Sequence, residues 1–255
     1  MLQAIIFDVD GTLADTENVH RVAFNRAFAT AGLDWHWDRA RYGGLLQVTG
    51  GKERIGHFVD TTRRGQYSRE ERDDLVARLH ASKTRIYNRL IEQGSVKLRP
   101  GIRPLIDDAC AEGVRLAIAT TTSPPNVVAL LKSTLGTEGP AAFDVIAAGD
   151  SVARKKPAPD VYLAVLNRLN LSAASCIVIE DSQNGLSAAL AAGLPTVVTP
   201  SRYTVSEDFR GAALVVSTLA QAADAGGATR GAGILQTLRA IHADAIRQGA
   251  EAMLY

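Results

Sequence analysis

Short runs of aliphatic and β-branched residues recur along the chain, and most lead into a stretch with helical periodicity. Strands are predicted at residues 2–7, 114–119, 144–147, 176–179, 195–199 and 213–216. Helical patterns follow from Val127 to a stop near Gly136, from about Asp160, and along an Ala-rich stretch closing at Gly193. Buried runs alternating with helices imply βαβ units and a mainly parallel sheet. The predicted fold class is α/β, with a Rossmann-like parallel sheet. In such sheets ligands bind outside the carboxyl ends of the strands. Asp8, Thr120, Lys156 and Asp181 all fall just past strand-like runs.

Residues 17–93 break this rhythm and hold no convincing buried strand. A helix is predicted after Asp15 or Thr16, with Val19, Ala23, Phe24, Ala27, Phe28 and Ala31 on one apolar stripe and Gly32 as its stop. An aromatic segment (Trp35, Trp37, Tyr42), the pair Gly50-Gly51 and more charged helix up to about Glu92 complete an all-helical insertion. The core resumes near Arg99-Pro100-Gly101. Three parts are therefore expected: a core of residues 1–16 plus 94–225, a helical insertion over 17–93, and an extension over 226–255. The extension begins Gly/Ala-rich and offers one last amphipathic helix from Ile234 to about Leu254.

Composition narrows the setting without touching the chemistry. The chain has 255 residues, long enough for a substantial core, and 28 basic against 27 acidic residues. Near-neutrality provides no whole-protein field to hold nucleic acid or an anionic membrane. No apolar run approaches the roughly 20 residues that span a bilayer. Cys110 and Cys176 lie in apolar segments and are expected to be reduced core residues. Met1 leads straight into a strand-like run, so no targeting peptide is expected. A cytoplasmic monomer follows as the expectation, with no nucleic-acid or membrane partner.

Asp8 and Asp10 sit two apart at a strand end, where Gly11 lets the backbone turn away. Two carboxylates this close repel unless a cation or a shared proton relieves them. An acidic pair can bind Mg²⁺, which prefers oxygen ligands and leaves positions for water and phosphate. Glu180-Asp181, at another strand end, can complete the cage, and Lys156 would offset a phosphate's charge. Thr120 and the N–H groups after it, from Thr121 onward, offer neutral donors to phosphate oxygens, with a helix N-terminus behind them. Read singly, strand-end acids also serve as helix caps or Ca²⁺ ligands, and a Lys before Pro is usually solvated. Four such elements at four strand ends favour a phosphate-handling site.

These residues carry a resemblance. Asp8-Val9-Asp10-Gly11-Thr12, Thr120, Lys156-Pro157 and Glu180-Asp181 resemble the four motifs of the haloacid-dehalogenase superfamily, phosphatase branch, over residues 1–220 or so. The insertion is similar to that superfamily's helical C1-type cap. Trp35 to Trp37, Tyr42, Thr49 to Ile55 and His80 to Thr84 resemble the CbbY-type phosphatases linked to the Calvin cycle. Those dephosphorylate xylulose 1,5-bisphosphate, an inhibitor of Rubisco. The resemblance implies that Asp8 is the nucleophile and that Asp10 protonates the leaving oxygen and later deprotonates water. It implies Mg²⁺ held by the Asp8 and Asp181 carboxylates and the Asp10 backbone carbonyl, and a loop set partly by Thr12. A dehalogenase has no alkoxide to protonate, so Asp10 favours a phosphatase or phosphomutase.

Gly50-Gly51-Lys52-Glu53-Arg54 is not a Walker A loop, because Leu46 stands where that motif needs Gly and Glu53 where it needs Ser or Thr. It is read as a cap loop whose amides, Lys52 and Arg54 hold the distal phosphate of a bisphosphate, against the alternative of a solvated helix face. Glu17 and His20, three apart, share a helix face pointing at the site, with Glu17 accepting sugar hydroxyls. His80 and Lys83 have the same spacing, and the resemblance places them near substrate. Ser123 and Asn126 stand where a helix N-terminus could meet substrate, with N-capping the alternative for Ser123. His36, His57 and His242 show no metal-ligand spacing. The rivals are a β-phosphoglucomutase-like phosphomutase, a phosphoglycolate-type phosphatase and, from another class, a phospho-accepting signalling domain. The last lacks an insertion after the first strand.

Overall fold

The computed structural model describes residues 1–225 and 233–252. Six strands, β1 (Ala4–Phe7), β2 (Arg115–Thr120), β3 (Val145–Ala148), β4 (Cys176–Glu180), β5 (Thr196–Val198) and β6 (Leu214–Val215), form one sheet in the order β3-β2-β1-β4-β5-β6. Every pairing is parallel. β1 is wholly buried at the centre, and its period-2 alternation feeds two cores. Ile5 and Phe7 face one layer of packing, and Ala4 and Ile6 face the other. The order reverses at β1, so the ends of β1, β2 and β4 flank one crevice.

Four helices fill residues 17–92 between β1 and β2: α1 (Glu17–Thr30), α2 (Arg39–Leu45), α3 (Gly51–Thr62) and α4 (Arg69–Glu92). They enclose an aromatic core of Phe24, Phe28, Trp35, Trp37, Tyr42 and Phe58. Asn25 holds the connection after α1 by accepting from Trp37 N (2.8 Å) and donating to Trp37 O (2.9 Å). α4 starts on a capping box between Ser68 and Glu71. Two chain segments join this lobe to the sheet, and they meet where Arg99 N donates to Leu13 O (2.8 Å) and Ala14 bridges Leu98.

The remaining helices are α5 (Ile102–Ala111), α6 (Pro124–Leu135), α7 (Asp160–Leu169), α8 (Gln183–Ala191), α9 (Leu219–Ala225) and α10 (Ile234–Ala252). α5, α6 and α10 bury Leu105, Leu130 and Leu238 on one face of the sheet, and α7 and α8 bury Val165 and Ala188 on the other. α10 also places His242 against Ala174 O (3.0 Å) and pairs Arg239 with Glu112. The expected start of the extension at residue 226 and its end at Leu254 lie outside the described residues. Two expectations fail. Ala31 is exposed because α1 ends at Thr30, and Cys110 is exposed because it lies one residue past the buried stripe of Leu105, Ile106 and Ala109. Cys176 is buried in β4.

Candidate active site

The crevice between the sheet's carboxyl ends and the helical lobe has two chemically different walls. On the sheet side, the Lys156 ammonium donates to Asp8 Oδ1 (2.7 Å), Glu180 Oε1 (2.6 Å) and the Ala119 carbonyl (2.9 Å). It also lies 5.0 Å from the centre of the Tyr162 ring, whose hydroxyl donates to Glu180 Oε1 (2.7 Å). Burial works against this ammonium, yet Asp8 and Glu180 hold its pKa well above the usual lysine range.

Asp8 has the opposite balance. Burial pushes its pKa up to about 8, aided by Glu180 and Asp10 and only partly offset by Lys156. Burial, Glu180 and Asp8 together push Asp181 well above the carboxylate range. Asp8, Glu180 and Asp181 can each bring an oxygen within 4.8 Å of the other two. Glu180, however, is already committed. Its Oε1 accepts from Lys156 and Tyr162, and its Oε2 accepts from Asp181 N (3.0 Å) and Ser182 Oγ (3.3 Å). Asp8 is bonded through Oδ1, and Asp181 through Oδ2 to Thr204 Oγ1 (3.2 Å). Ser201 also lends Asp181 a side-chain hydrogen bond, whereas among the described residues the second oxygen of Asp8 has no protein donor. Two buried, mutually repelling carboxylates, each with fewer donors than Glu180, fit a hard divalent cation, and Glu180 reads as the anchor of Lys156. Gly11, at φ +86°, lies against Asp181, where a Cβ would run into the carboxylate.

Asp10 does not point alongside Asp8. β1 ends at Phe7, the chain turns, and Asp10 Oδ1 accepts from Thr16 Oγ1 (2.5 Å) and His20 Nε2 (2.8 Å). Burial would raise its pKa, but His20, Thr16 and Lys83 together hold it below the usual range. His20 stacks on Tyr87 at 4.1 Å, and its Nδ1 meets the Lys83 ammonium at 2.6 Å. A neutral His20 protonated on Nε2 satisfies both contacts, donating to Asp10 and accepting from Lys83. Lys83 lies over the rings of Phe24 (4.9 Å) and Tyr87 (5.2 Å), and burial lowers its pKa to about 7. Beside it, Tyr42 donates to Glu17 Oε2 (2.5 Å) and accepts from Arg54 Nη1 (3.2 Å), while Arg54 Nε donates to Leu45 O (3.1 Å).

One cleft thus gathers Asp8, Asp10, Glu17, His20, Gly50, Gly51, Arg54, Lys83, Thr120, Thr121, Lys156 and Asp181. Lys52, His80 and Ser123 lie instead around a neighbouring recess with Asp150 and Lys155. Lys52 Nζ is paired with Asp150 Oδ2 at 2.6 Å, so it is not turned toward the cleft that was expected to hold its phosphate. His80 is driven down to about 4, mainly by burial and then by Lys83 and Lys52. The expected cap loop at Gly50 to Arg54 is the first turn of α3, set by the helical spacing of Ile55, Phe58 and Val59. Asn126 is buried and donates to Thr122 Oγ1 (3.1 Å). Ser123 makes no side-chain cap, because Pro124 and Pro125 carry no N–H and Asn126 N donates to the Ser123 carbonyl. Thr12 Oγ1 has no partner among the described residues, and its backbone N–H makes the turn to Val9 O.

Sequence reasoning missed Thr16, Tyr162 and Thr204, and it gave Thr49 and Tyr42 no role. Thr16 alone carried a signal, as a hydroxyl at the start of a helix beside an acidic loop.

The family model of haloacid dehalogenase-like hydrolases matches residues 2–193. The chain belongs to that family. Among these hydrolases it is similar to the protein CbbY of Cupriavidus necator, at 52% identity over 226 residues, which cover 88% of each chain. A crystal structure of CbbY from Rhodobacter sphaeroides with phosphate matches it at 48% identity and a TM-score of 0.82, over 87% of this chain and 96% of that one. A mutant of that protein, solved in complex with xylulose-(1,5)bisphosphate, matches at 47% identity, the same TM-score and the same coverage. This hydrolase is a phosphatase acting on phosphorylated sugars. Among its described residues no helix is long and apolar enough to cross a membrane.

Proposed function

We propose that this enzyme is a Mg²⁺-dependent phosphatase that hydrolyses xylulose 1,5-bisphosphate through an aspartyl-phosphate on Asp8, removing an inhibitor of Rubisco. The carrying observation is the division of labour between the two acids. Asp8 faces Lys156 and the acidic pair, while Asp10 is turned to Thr16 and His20 on the helical side. The complex of the R. sphaeroides relative supports the choice of sugar.

In this reading Asp10, ionised at rest, takes up a proton as the phosphate's negative charge settles beside it and favours the neutral carboxyl; Asp8 Oδ then attacks phosphorus and the sugar oxygen leaves with that proton. Water then attacks the aspartyl-phosphate phosphorus, yields its proton to Asp10 and frees Asp8 and inorganic phosphate. Lys156 keeps Asp8 oriented and offsets phosphate charge. His20 and Thr16 hold the Asp10 carboxyl in line between the two steps. Mg²⁺, held by Asp8, Asp181 and the Asp10 carbonyl, would supply positive charge against the phosphate oxygens. Glu17 and Arg54 address the sugar and its second phosphate, with helices α1–α4 acting as a cap, and the small substrate needs no further partner.

Phosphate release from a panel of sugar phosphates with Mg²⁺ tests this. Xylulose 1,5-bisphosphate is expected to show the highest kcat/KM, with turnover abolished by chelation and by Asp8→Asn. Isomerised sugar phosphate without free phosphate would establish a mutase, and a preference for phosphoglycolate would replace the substrate.

A further inference from the structure

The geometry points to Arg99 as a positioning residue that holds Asp181 from both sides through the backbone. It precedes α5, outside every motif, and its side chain is almost wholly buried. A buried charge is costly unless it is paired or fully hydrogen-bonded. The nearest carboxylate, Asp15, is 3.7 Å away and mostly exposed. The guanidinium is satisfied instead by backbone oxygens of three separate segments. Nη1 donates to the Gly11 carbonyl, the Thr199 carbonyl (2.6 Å) and Thr199 Oγ1 (3.1 Å). Nη2 donates to the carbonyls of Pro200 (2.9 Å) and Ser217 (2.8 Å).

Two of those segments converge on one carboxylate. Gly11 lies directly against Asp181. Residues 199–200 lead into Ser201, whose N–H donates to Thr204 Oγ1 (2.8 Å) and whose hydroxyl lies 3.0 Å from it. That Thr204 hydroxyl donates to Asp181 Oδ2 (3.2 Å). Thr199 N also donates to the Glu180 carbonyl (2.7 Å), one residue before Asp181. The planar fork of Arg99 therefore staples the loop after β1 to the loop after β5, with Asp181 between them. A lysine carries the charge but not the fork, and can reach fewer of these carbonyls at once.

The role rests on the metal reading proposed above, and its test reads metal binding directly. Mn²⁺ affinity of the full chain would be measured by the loss of the free-ion electron paramagnetic resonance signal, beside kcat and KM, for wild type, Arg99→Lys and Arg99→Gln. Circular dichroism would confirm folding. Outer partners of metal ligands are typically worth about ten- to a hundredfold in affinity. Arg99→Gln is expected to lose that much Mn²⁺ affinity and Arg99→Lys less, with KM for the sugar phosphate within about twofold of wild type because the sugar contacts lie on the helical side. A folded Arg99→Gln protein with wild-type Mn²⁺ affinity overturns the role. Should Arg99→Gln fail to fold, Thr204→Val removes only the last hydroxyl of the same path. Weakened Mn²⁺ binding there supports the role, and unchanged binding overturns it. Wild-type protein that binds no Mn²⁺ overturns the metal reading itself, a result distinct from a mutational null.

Discussion

The two walls of the cleft handle buried charge in different ways. The sheet side pairs Lys156 with two carboxylates and a carbonyl, so its ammonium is held more firmly than in water. The helical side buries Lys83 over two aromatic rings with a histidine nitrogen as its close hydrogen-bonding partner, and its ammonium is loosened to a pKa of about 7. A lysine enclosed by acids is a fixed charge. A lysine enclosed by rings can change its protonation near neutrality. The wall that holds Asp8 carries a fixed charge, and the wall that meets Asp10 is electrically adjustable.

The largest break in this comparison should come from Lys156→Met. It leaves Glu180, fully buried, without its counter-charge, a loss of the kind that costs about 3–5 kcal/mol. Turnover should fall at least about a hundredfold. Denaturant unfolding and phosphate release check both, and wild-type stability would show that the pairing is not what holds this wall.

Lys83→Met should go the other way on stability. The folded-state pKa near 7 lies below the ordinary lysine value of 10.5. Between these values the unfolded chain holds a proton that the folded chain lacks, so wild-type stability should rise as pH rises from 7 to 10.5. The variant should flatten that slope and melt higher at pH 7, by about 2–4 °C for each kcal/mol recovered, while turnover drops because His20 loses its donor. Melting curves across this pH window, with activity at pH 7, test it. A lower melting temperature would mean that the ring contacts outweigh the cost of burial.

The smallest effect belongs to Lys52→Ala. Its pairing with Asp150 is roughly half exposed, and such pairs contribute about 0.2–1 kcal/mol. Stability should hardly move, and kcat/KM for a bisphosphate should fall less than in Arg54→Ala, whose side chain lines the cleft. Equal losses would return Lys52 to the substrate.

The contrast between the walls also explains what the sequence disclosed. Strand periodicity placed Asp8, Thr120 and Asp181 at the ends of a parallel sheet, and Lys156 in the loop after β3, because a fully buried strand has few ways to be read and its carboxyl end has one location. Helical spacing placed Glu17 and His20 on one face. Contacts between distant segments were not legible. Nothing local marks Tyr162 as the donor to Glu180, or Asp150 as the acceptor of Lys52, since each depends on how two elements pack. The pairing of Lys52 was hidden for the same reason: a first-turn lysine on α3 can point to either of two recesses, and in the structure it meets a carboxylate 98 positions later.

Of the contacts that join the helical side to the sheet side, one reaches Lys156 itself. Thr49, just ahead of α3, donates its hydroxyl to the backbone carbonyl of Lys156 at 2.5 Å, while the ammonium of that lysine grips Asp8. The same residue is thus held at its main chain by the helical side and at its side chain by Asp8. On the proposed aspartyl-phosphate reading, the segment that leads into α3 and the lysine that faces the nucleophile therefore share one hydrogen bond. Whatever positions the start of α3 also positions the backbone of the residue that pairs with Asp8 and Glu180.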